Sequence, residues 1–182
     1  MRMLVVYESM FGNTEAIAKA IAEGLKVHGD VEVVEVGAAP NLGSDVALLV
    51  VGGPTHAHGM STPDSRADAA RRAGDRLVSH GVGAREWLHG LPPLSATAAA
   101  ASFDTRIHGP GFLWGSAAKA MAKELETAGY LLVVPPESFL VGGPTGSQFD
   151  RLLDGELDRA RRWGDTLGKL AAEAETKRAV PV

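Results

Sequence analysis

The sequence predicts an α/β fold in which crossover helices cover a parallel sheet. Short apolar runs rich in β-branched residues alternate with longer segments of helical period, which is the pattern of such a sheet. The third run, residues 46–51, is apolar throughout, as is typical of a strand covered on both faces. With 182 residues, 45% hydrophobic and 22% charged, the chain fits one globular domain. We expect that domain over residues 1–178 and a loose tail over 179–182.

Five strands can be placed on the chain. The fourth lies in an alanine-rich run of high helix propensity, but it ends in Asp104 and Thr105 like a strand that enters a loop. The fifth is interrupted by Pro135 and Pro136 and resumes at residues 139–141, which favours an edge position because proline lacks a ladder donor. The predicted strands cover residues 3–7, 31–36, 46–51, 98–103 and 130–134.

Apolar residues at helical spacing mark two of the crossovers. Ile17, Ile21 and Leu25 recur at i, i+4 and i+8, and Gly29 stands where this first helix should end. The fourth crossover repeats the pattern over residues 117–125 and closes at a glycine in the same way. Each apolar stripe is expected to face the sheet.

The crossover between strands three and four is long and polar. Thr62 and Pro63 indicate a helix start there. The charged residues that follow predict a solvated helix face: Arg66, Asp68, Arg71, Arg72, Asp75 and Arg76. Residues 37–45 are too few for a full crossover helix and predict a short helical turn, whereas residues 155–177 predict the last helix.

Composition and charge exclude several classes of function. A net charge of −4 and a pI near 5.8 argue against a nucleic-acid surface, which needs clustered Lys and Arg. The absence of cysteine excludes disulfides, thiolate metal sites and cysteine nucleophiles. No apolar run approaches a membrane span, and the first residues lack the pattern of a signal peptide, so a cytoplasmic protein is expected. Small molecules and other proteins remain as possible binding partners.

The most informative segment is the polar loop between the first strand and the first helix. Its backbone N–H groups and hydroxyls would meet at the positive end of a helix dipole, where a phosphate binds readily. The loop matches neither GxxxxGK[ST] nor GxGxxG, so backbone donors, two hydroxyls and an amide would hold the phosphate. The alternative, in which Ser9 and Asn13 only cap the helix and Gly12 relieves a tight turn, stays open. The loop residues are Ser9, Met10, Phe11, Gly12, Asn13 and Thr14.

Two further loops should meet this one, because ligands of such folds bind beyond the carboxyl ends of the strands. The second loop follows strand three over residues 52–60, where paired glycines allow close backbone approach. The third loop covers residues 104–114, and its composition suits a binding loop better than a linker.

These three loops resemble the flavodoxin family, through SMFGNT after strand one, GGPTHAHG after strand three and FDTR after strand four. The resemblance covers nearly the whole chain. It implies a three-layer, doubly wound, flavodoxin-like fold whose five-stranded parallel sheet has the order 2-1-3-4-5, with FMN as the cofactor. The implied cofactor-binding residues are Ser9, Met10, Phe11, Gly12, Asn13 and Thr14 around the phosphate, Pro54, Thr55, His56, His58 and Gly59 beside the isoalloxazine, and Asp104, Thr105 and Arg106 on its other side.

The resemblance implies a protein that carries electrons through its flavin, with no side chain acting as acid, base or nucleophile. Its partner would be a redox protein or a small-molecule electron donor or acceptor. Many carrier flavodoxins sandwich the flavin between a Trp and a Tyr, and neither occurs in the second loop. An NAD(P)H-dependent quinone or small-acceptor reductase therefore stays open, as does a flavodoxin-like module that has lost FMN.

The loop histidines and one glycine carry narrower expectations. His56 and His58 either contact the flavin or are ordinary solvated side chains. A metal site formed with His108 is conceivable, but the ligand spacing is weak and no metal is expected. Gly59 would allow a peptide near flavin N5 to rearrange when the flavin is reduced.

Overall fold

Strands and helices alternate along the computed structural model, which describes residues 1–40, 42, 45–57, 59–92, 98–109, 115–143 and 151–179. Within these residues the strands are β1 (Arg2–Tyr7), β2 (Asp30–Glu35), β3 (Val46–Pro54), β4 (Ala99–Ile107), β5 (Leu131–Leu132) and β6 (Glu137–Val141). The α-helices are α1 (Asn13–Leu25), α2 (Pro63–Ala73), α3 (Ala84–His89), α4 (Ala117–Thr127) and α5 (Glu156–Ala179). Short 3₁₀ turns follow α1, β2 and α2, and the turn after β2 is the one predicted between strands two and three.

The strands form one parallel sheet in the predicted order, β2-β1-β3-β4-β5, with β6 also paired to β4. β5 and β6 are the two parts of the predicted fifth strand. Residues 131–132 pair with the start of β4, and residues 137–141 pair with its second half. Pro135 and Pro136 separate the two parts on the outer edge, where a missing N–H costs no ladder bond.

Two apolar layers cover the sheet. In β1, Met3 and Val5 belong to the layer that contains α1 and α5, whereas Leu4 and Val6 belong to the layer that contains α3 and α4. All four side chains are fully buried, as the alternation of a doubly covered strand requires. The stripe of α1 is buried as predicted, and α1 packs closely along α5. No helix within the described ranges is long and apolar enough to cross a membrane.

Two segments that the sequence places in loops belong to strands instead. β3 continues to Pro54 and β4 to Ile107, so residues 52–54 and 104–107 are strand. The two extensions pair with one another, and β6 pairs along the other side of residues 103–107. Long-range pairing therefore overrides the local Gly and Pro signal. The alanine-rich run forms a strand, as predicted, but the strand ends at Ile107 and not at residue 103.

The crossover between β3 and β4 contains two α-helices. α2 begins where predicted, with Thr62 accepting a hydrogen bond from the Ser65 N–H at 3.2 Å. The predicted solvated face is wrong for Arg66, whose side chain is only 12% exposed and lies against Ser61 and Glu86. The other charged residues of that set are exposed. α3, which completes the crossover, was not placed from sequence.

Parts of the predictions lie outside the described residues. They include His58, residues 110–114 of the third loop and residues 180–182 of the expected tail. The last helix runs from Glu156 to Ala179, two residues beyond its predicted end.

Candidate functional site

The loop after β1 opens onto the start of α1. Gly12 occupies the N-cap position in the left-handed region, with φ of 89°, and as a glycine it offers no side-chain cap. The Ser9 hydroxyl accepts a hydrogen bond from the Gly12 N–H at 3.1 Å, which closes the loop on itself. The left-handed φ of Gly12 fits the tight turn that the sequence indicates at this position. A helix start whose N-cap residue has no side chain leaves backbone N–H groups at the positive end of the helix dipole, where an anion binds favourably.

A cleft of about 460 Å³ lies over the carboxyl ends of the central strands. Its size is within the usual range for small-molecule and cofactor sites. Four parts of the chain and one residue of β6 line it: Ser9, Met10, Phe11, Asn13 and Thr14 from the first loop and α1; Pro54, Thr55, His56 and Ala57; Ser65, Asp68, Ala69 and Arg72 from α2; Thr105, Arg106 and Ile107 from β4; and Val141.

Most of the site residues predicted from sequence are therefore brought together. Gly12, Gly59 and Asp104 do not line the cleft, and His58 lies outside the described residues. Asp104 is buried and bonded to Thr55, and Gly59 closes the turn that carries His56. The sequence did not identify the α2 residues as lining. Residue spacing shows which residues share a helix face, but it does not show what that face packs against.

Two buried hydroxyls connect the first loop to β4. Thr14 Oγ1 and Thr105 Oγ1 lie 2.7 Å apart, and both side chains line the cleft. One hydroxyl donates to the other, so the second keeps its own proton for another acceptor. A ligand oxygen in the cleft could accept that proton, which makes the pair a suitable donor to a phosphate.

Asp104 is completely buried and holds three segments together. Its Oδ2 accepts hydrogen bonds from Thr55 Oγ1 at 3.0 Å, Ser116 Oγ at 2.7 Å and the Ala118 N–H at 2.9 Å. Thr55 in turn accepts from the Ala117 N–H at 2.9 Å. The carboxylate thereby fixes the second loop and the start of α4 against the end of β4.

The second loop is a tight turn. The His56 N–H donates to the Gly59 carbonyl at 2.9 Å, and the Gly59 N–H donates back to the His56 carbonyl at 3.0 Å. Ala57, within the turn, has φ of 51°. Among the described residues it is the only non-glycine residue in the left-handed region. Burial, and to a smaller extent the Arg66 cation, lowers the pKa of His56, so its imidazole is neutral at pH 7.

Arg106 places a guanidinium at the β4 side of the cleft. Its Nη1 donates to the Gly115 carbonyl at 3.3 Å, and its Nε, which is buried, has no hydrogen-bond partner in the described part of the chain. Because Arg106 lines the cleft, its positive charge can attract an acceptor or anionic group of a bound ligand.

A buried carboxyl group lies behind the first loop. Glu8 is 1% exposed, and its Oε2 accepts a hydrogen bond from the Ala84 N–H at 2.8 Å, at the start of α3. Burial raises the pKa of Glu8, against the opposing effects of Ser61, Ala84 and Arg66. No sequence pattern indicates that Glu8 is buried or that it accepts from Ala84, because it follows a strand like any loop residue.

Comparison with known proteins finds a family model and several solved structures that are similar to this chain. A flavodoxin family model matches residues 5–108. Similar solved structures include a flavodoxin from the domain Archaea, with 21% identity over 94% of this chain and 99% of that chain and a TM-score of 0.64. Flavodoxin 1 from Bacillus cereus has 17% identity over 93% and 98% and a TM-score of 0.64.

A longer protein also contains this fold. The flavodiiron protein from Giardia intestinalis has 18% identity over 98% of this chain but 38% of its own length, with a TM-score of 0.63. No curated protein matches the chain. The structural matches show the fold, and the family match covers more than half of the sequence and includes the first two loops and the end of β4. The chain belongs to the flavodoxin family.

Proposed function

We propose that this protein binds FMN in the cleft and carries electrons through the bound flavin. Proteins of the flavodoxin family bind flavin, typically FMN. The observation that carries the proposal is the start of α1 at Gly12, beside a cleft that is large enough for a cofactor and lined by the Thr14–Thr105 hydroxyl pair.

The residues of the first loop fit the phosphate of FMN. A helix start presents several N–H groups without intrahelical partners, and these bind phosphate oxygens. The spare hydroxyl proton of the Thr14–Thr105 pair adds a side-chain donor on the same side of the cleft. Gly12 has a role that only glycine fills easily, because its φ of 89° would strain any larger residue.

The second loop and β4 fit the ring system. Pro54, Thr55 and His56 line one part of the cleft, and Thr105 and Arg106 line another. We assign Asp104 and Gly59 indirect roles, since Asp104 holds Thr55 and Gly59 closes the turn that carries His56. Phe11 and His56 supply the ring side chains of the described lining, which leaves stacking on the flavin limited.

FMN, when bound, supplies the electron-transfer chemistry, and the chain orients and tunes it. The loops exclude water from part of the cofactor, and the neutral His56 adds no charge beside it. No side chain is assigned as an acid, base or nucleophile. We expect the electrons to pass to or from a redox partner protein or a small molecule in the cytoplasm.

Reconstitution tests this proposal directly. The purified protein is mixed with excess FMN, freed of unbound ligand by gel filtration, and examined by its visible spectrum. A retained flavin spectrum with about one FMN per chain supports the proposal. A folded sample that retains no flavin contradicts it and favours the module without cofactor.

A reductase is the second candidate, because the second loop lacks the Trp and Tyr of many carrier flavodoxins. Adding NADPH anaerobically to the reconstituted sample separates the two. Slow or absent loss of the flavin absorbance supports a carrier. Loss of that absorbance within seconds supports a reductase in place of the carrier.

A further inference from the structure

We propose that Arg72 on α2 forms an ion pair with the phosphate of FMN, which gives this site a cation that its phosphate loop lacks. The inference rests on the proposed FMN site. Residues 9–14 contain no basic side chain, and the first turn of α1 contains the acidic Glu15. A phosphate monoester brings about −1.5 to −2 charges at pH 7, so a nearby cation would stabilise it.

One face of α2 forms a wall of the cleft. Ser65, Asp68, Ala69 and Arg72 follow one another at i, i+3, i+4 and i+7, the spacing of residues that share a helix face. All four line the same cleft as the residues of the phosphate loop. The face that the sequence indicated as merely solvated is thus directed partly toward the cofactor site.

Hydrogen bonds after α2 fix which of its ends lies near the phosphate loop. The Val78 N–H donates to the Met10 carbonyl at 3.2 Å, and the Ser79 N–H donates to the Ser9 carbonyl at 2.8 Å. The Ser9 N–H donates in return to Ser79 Oγ at 2.9 Å. The C-terminal end of α2 is therefore the end tied to the phosphate loop, and Arg72 lies in its last turn.

The three arginines of α2 differ in their partners. Arg66 pairs with Glu86 at 3.1 Å, and Arg71 pairs with Asp68. Arg72 makes no ion pair or hydrogen bond within the described part of the chain, although it lines the cleft. Asp68 already has Arg71 as a partner, so Arg72 is the arginine of α2 that is available to a ligand in the cleft.

The expected effect is moderate because Arg72 is exposed and solvent screens its charge. We expect Arg72→Gln to weaken FMN binding about five- to tenfold at low salt, between the effect of an exposed ion pair and that of a charge-assisted hydrogen bond. Riboflavin has the same ring and ribityl chain but no phosphate, so its affinity should stay unchanged.

The test compares FMN and riboflavin titrations, followed by flavin fluorescence, for the wild type, Arg72→Gln, Arg72→Lys and Arg76→Gln. Arg76 is exposed, follows α2 and does not line the cleft, so its variant is a control with the same change in net charge. Titrations at about 0.05 M and about 0.5 M salt vary the screening. Circular dichroism checks that each variant is folded.

The proposal predicts weaker FMN binding for Arg72→Gln but not for Arg76→Gln, a smaller loss for Arg72→Lys, and a difference from the wild type that shrinks at high salt. Equal FMN affinity in Arg72→Gln and Arg76→Gln overturns it. An equal loss of riboflavin affinity also overturns it, because the effect would not come from the phosphate. If the wild type binds no FMN, the proposed function fails as well, whereas normal wild-type binding with no Arg72 effect rejects this inference only.

Discussion

Replacing Asp104 with alanine removes the carboxylate that joins the second loop, β4 and the start of α4. Three hydrogen bonds to Oδ2 are lost, from two hydroxyls and one backbone N–H, all within a buried environment. Thr55 also loses the partner that fixes it in the cleft. We expect both a less stable protein and weaker binding of FMN.

The size of the effect follows from these bonds. Three bonds at about 1.5 kcal/mol each, the low end for a charged acceptor, give about 4 to 5 kcal/mol. Removing a buried charge relieves part of its desolvation cost, so we expect a net loss of about 3 kcal/mol. For a chain of this length that corresponds to a fall in Tm of about 6 to 12 °C.

Urea unfolding followed by circular dichroism measures the free energy of unfolding of Asp104→Ala. The control is Asp158→Ala, which removes an exposed carboxylate paired with Arg161 and should change the free energy by less than about 1 kcal/mol. A change of less than about 0.5 kcal/mol in Asp104→Ala would refute the reasoning, since this is the range of neutral surface substitutions.

Three more substitutions test other parts of the account. Gly164→Ala should lower the free energy of unfolding by about 2 kcal/mol, because a Cβ there would lie 2.1 Å from the Ile21 carbonyl oxygen and force α1 and α5 apart. Thr14→Val should weaken FMN binding about tenfold and leave riboflavin binding unchanged, as measured by fluorescence titration. Glu8→Gln should remove a pH dependence: burial raises the pKa of Glu8, so the wild type should lose stability relative to the variant as pH rises above about 4.3, as measured by urea midpoints.

Each of these has an outcome that contradicts it. Gly164→Ala would raise Tm if helix propensity alone decided its effect, since alanine is about 1 kcal/mol better than glycine in a helix. Thr166→Val, on the exposed side of α5, is the control for Thr14→Val, and equal FMN affinities in the two would reject a phosphate contact. A constant stability difference between Glu8→Gln and wild type from pH 4 to 8 would contradict the raised pKa.

The fold could be predicted because its signals are local and repeated. β1 and β3 are apolar on both faces, and the stripe of α1 ends at a glycine, so strand and helix assignments follow from short windows. The extension of β4 to Ile107 could not be predicted in that way. It depends on β6, which is contributed by residues about 30 positions later in the chain.

The first loop could be identified from sequence as part of a candidate site because its residues are contiguous, and five of its six residues line the cleft. The role of Asp104 could not, because its partners Thr55 and Ser116 come from two other segments, and the residue proves buried behind the cleft instead of lining it. The sequence predicts the start of α2 but not that the helix lines the cleft, for a similar reason. Backbone bonds from residues 78–79 to residues 9–10 orient the helix, and no local pattern encodes them.

The central claim is that the site binds FMN and recognises its phosphate. The most direct test is to measure the dissociation constants of riboflavin and of FMN for the wild type at low salt and to divide the first by the second. Two charge-assisted hydrogen bonds of about 1.5 kcal/mol each correspond to a ratio of about 100 or more. A ratio of that size is what the account predicts. A ratio near one, or no binding of either flavin by the folded protein, would contradict it.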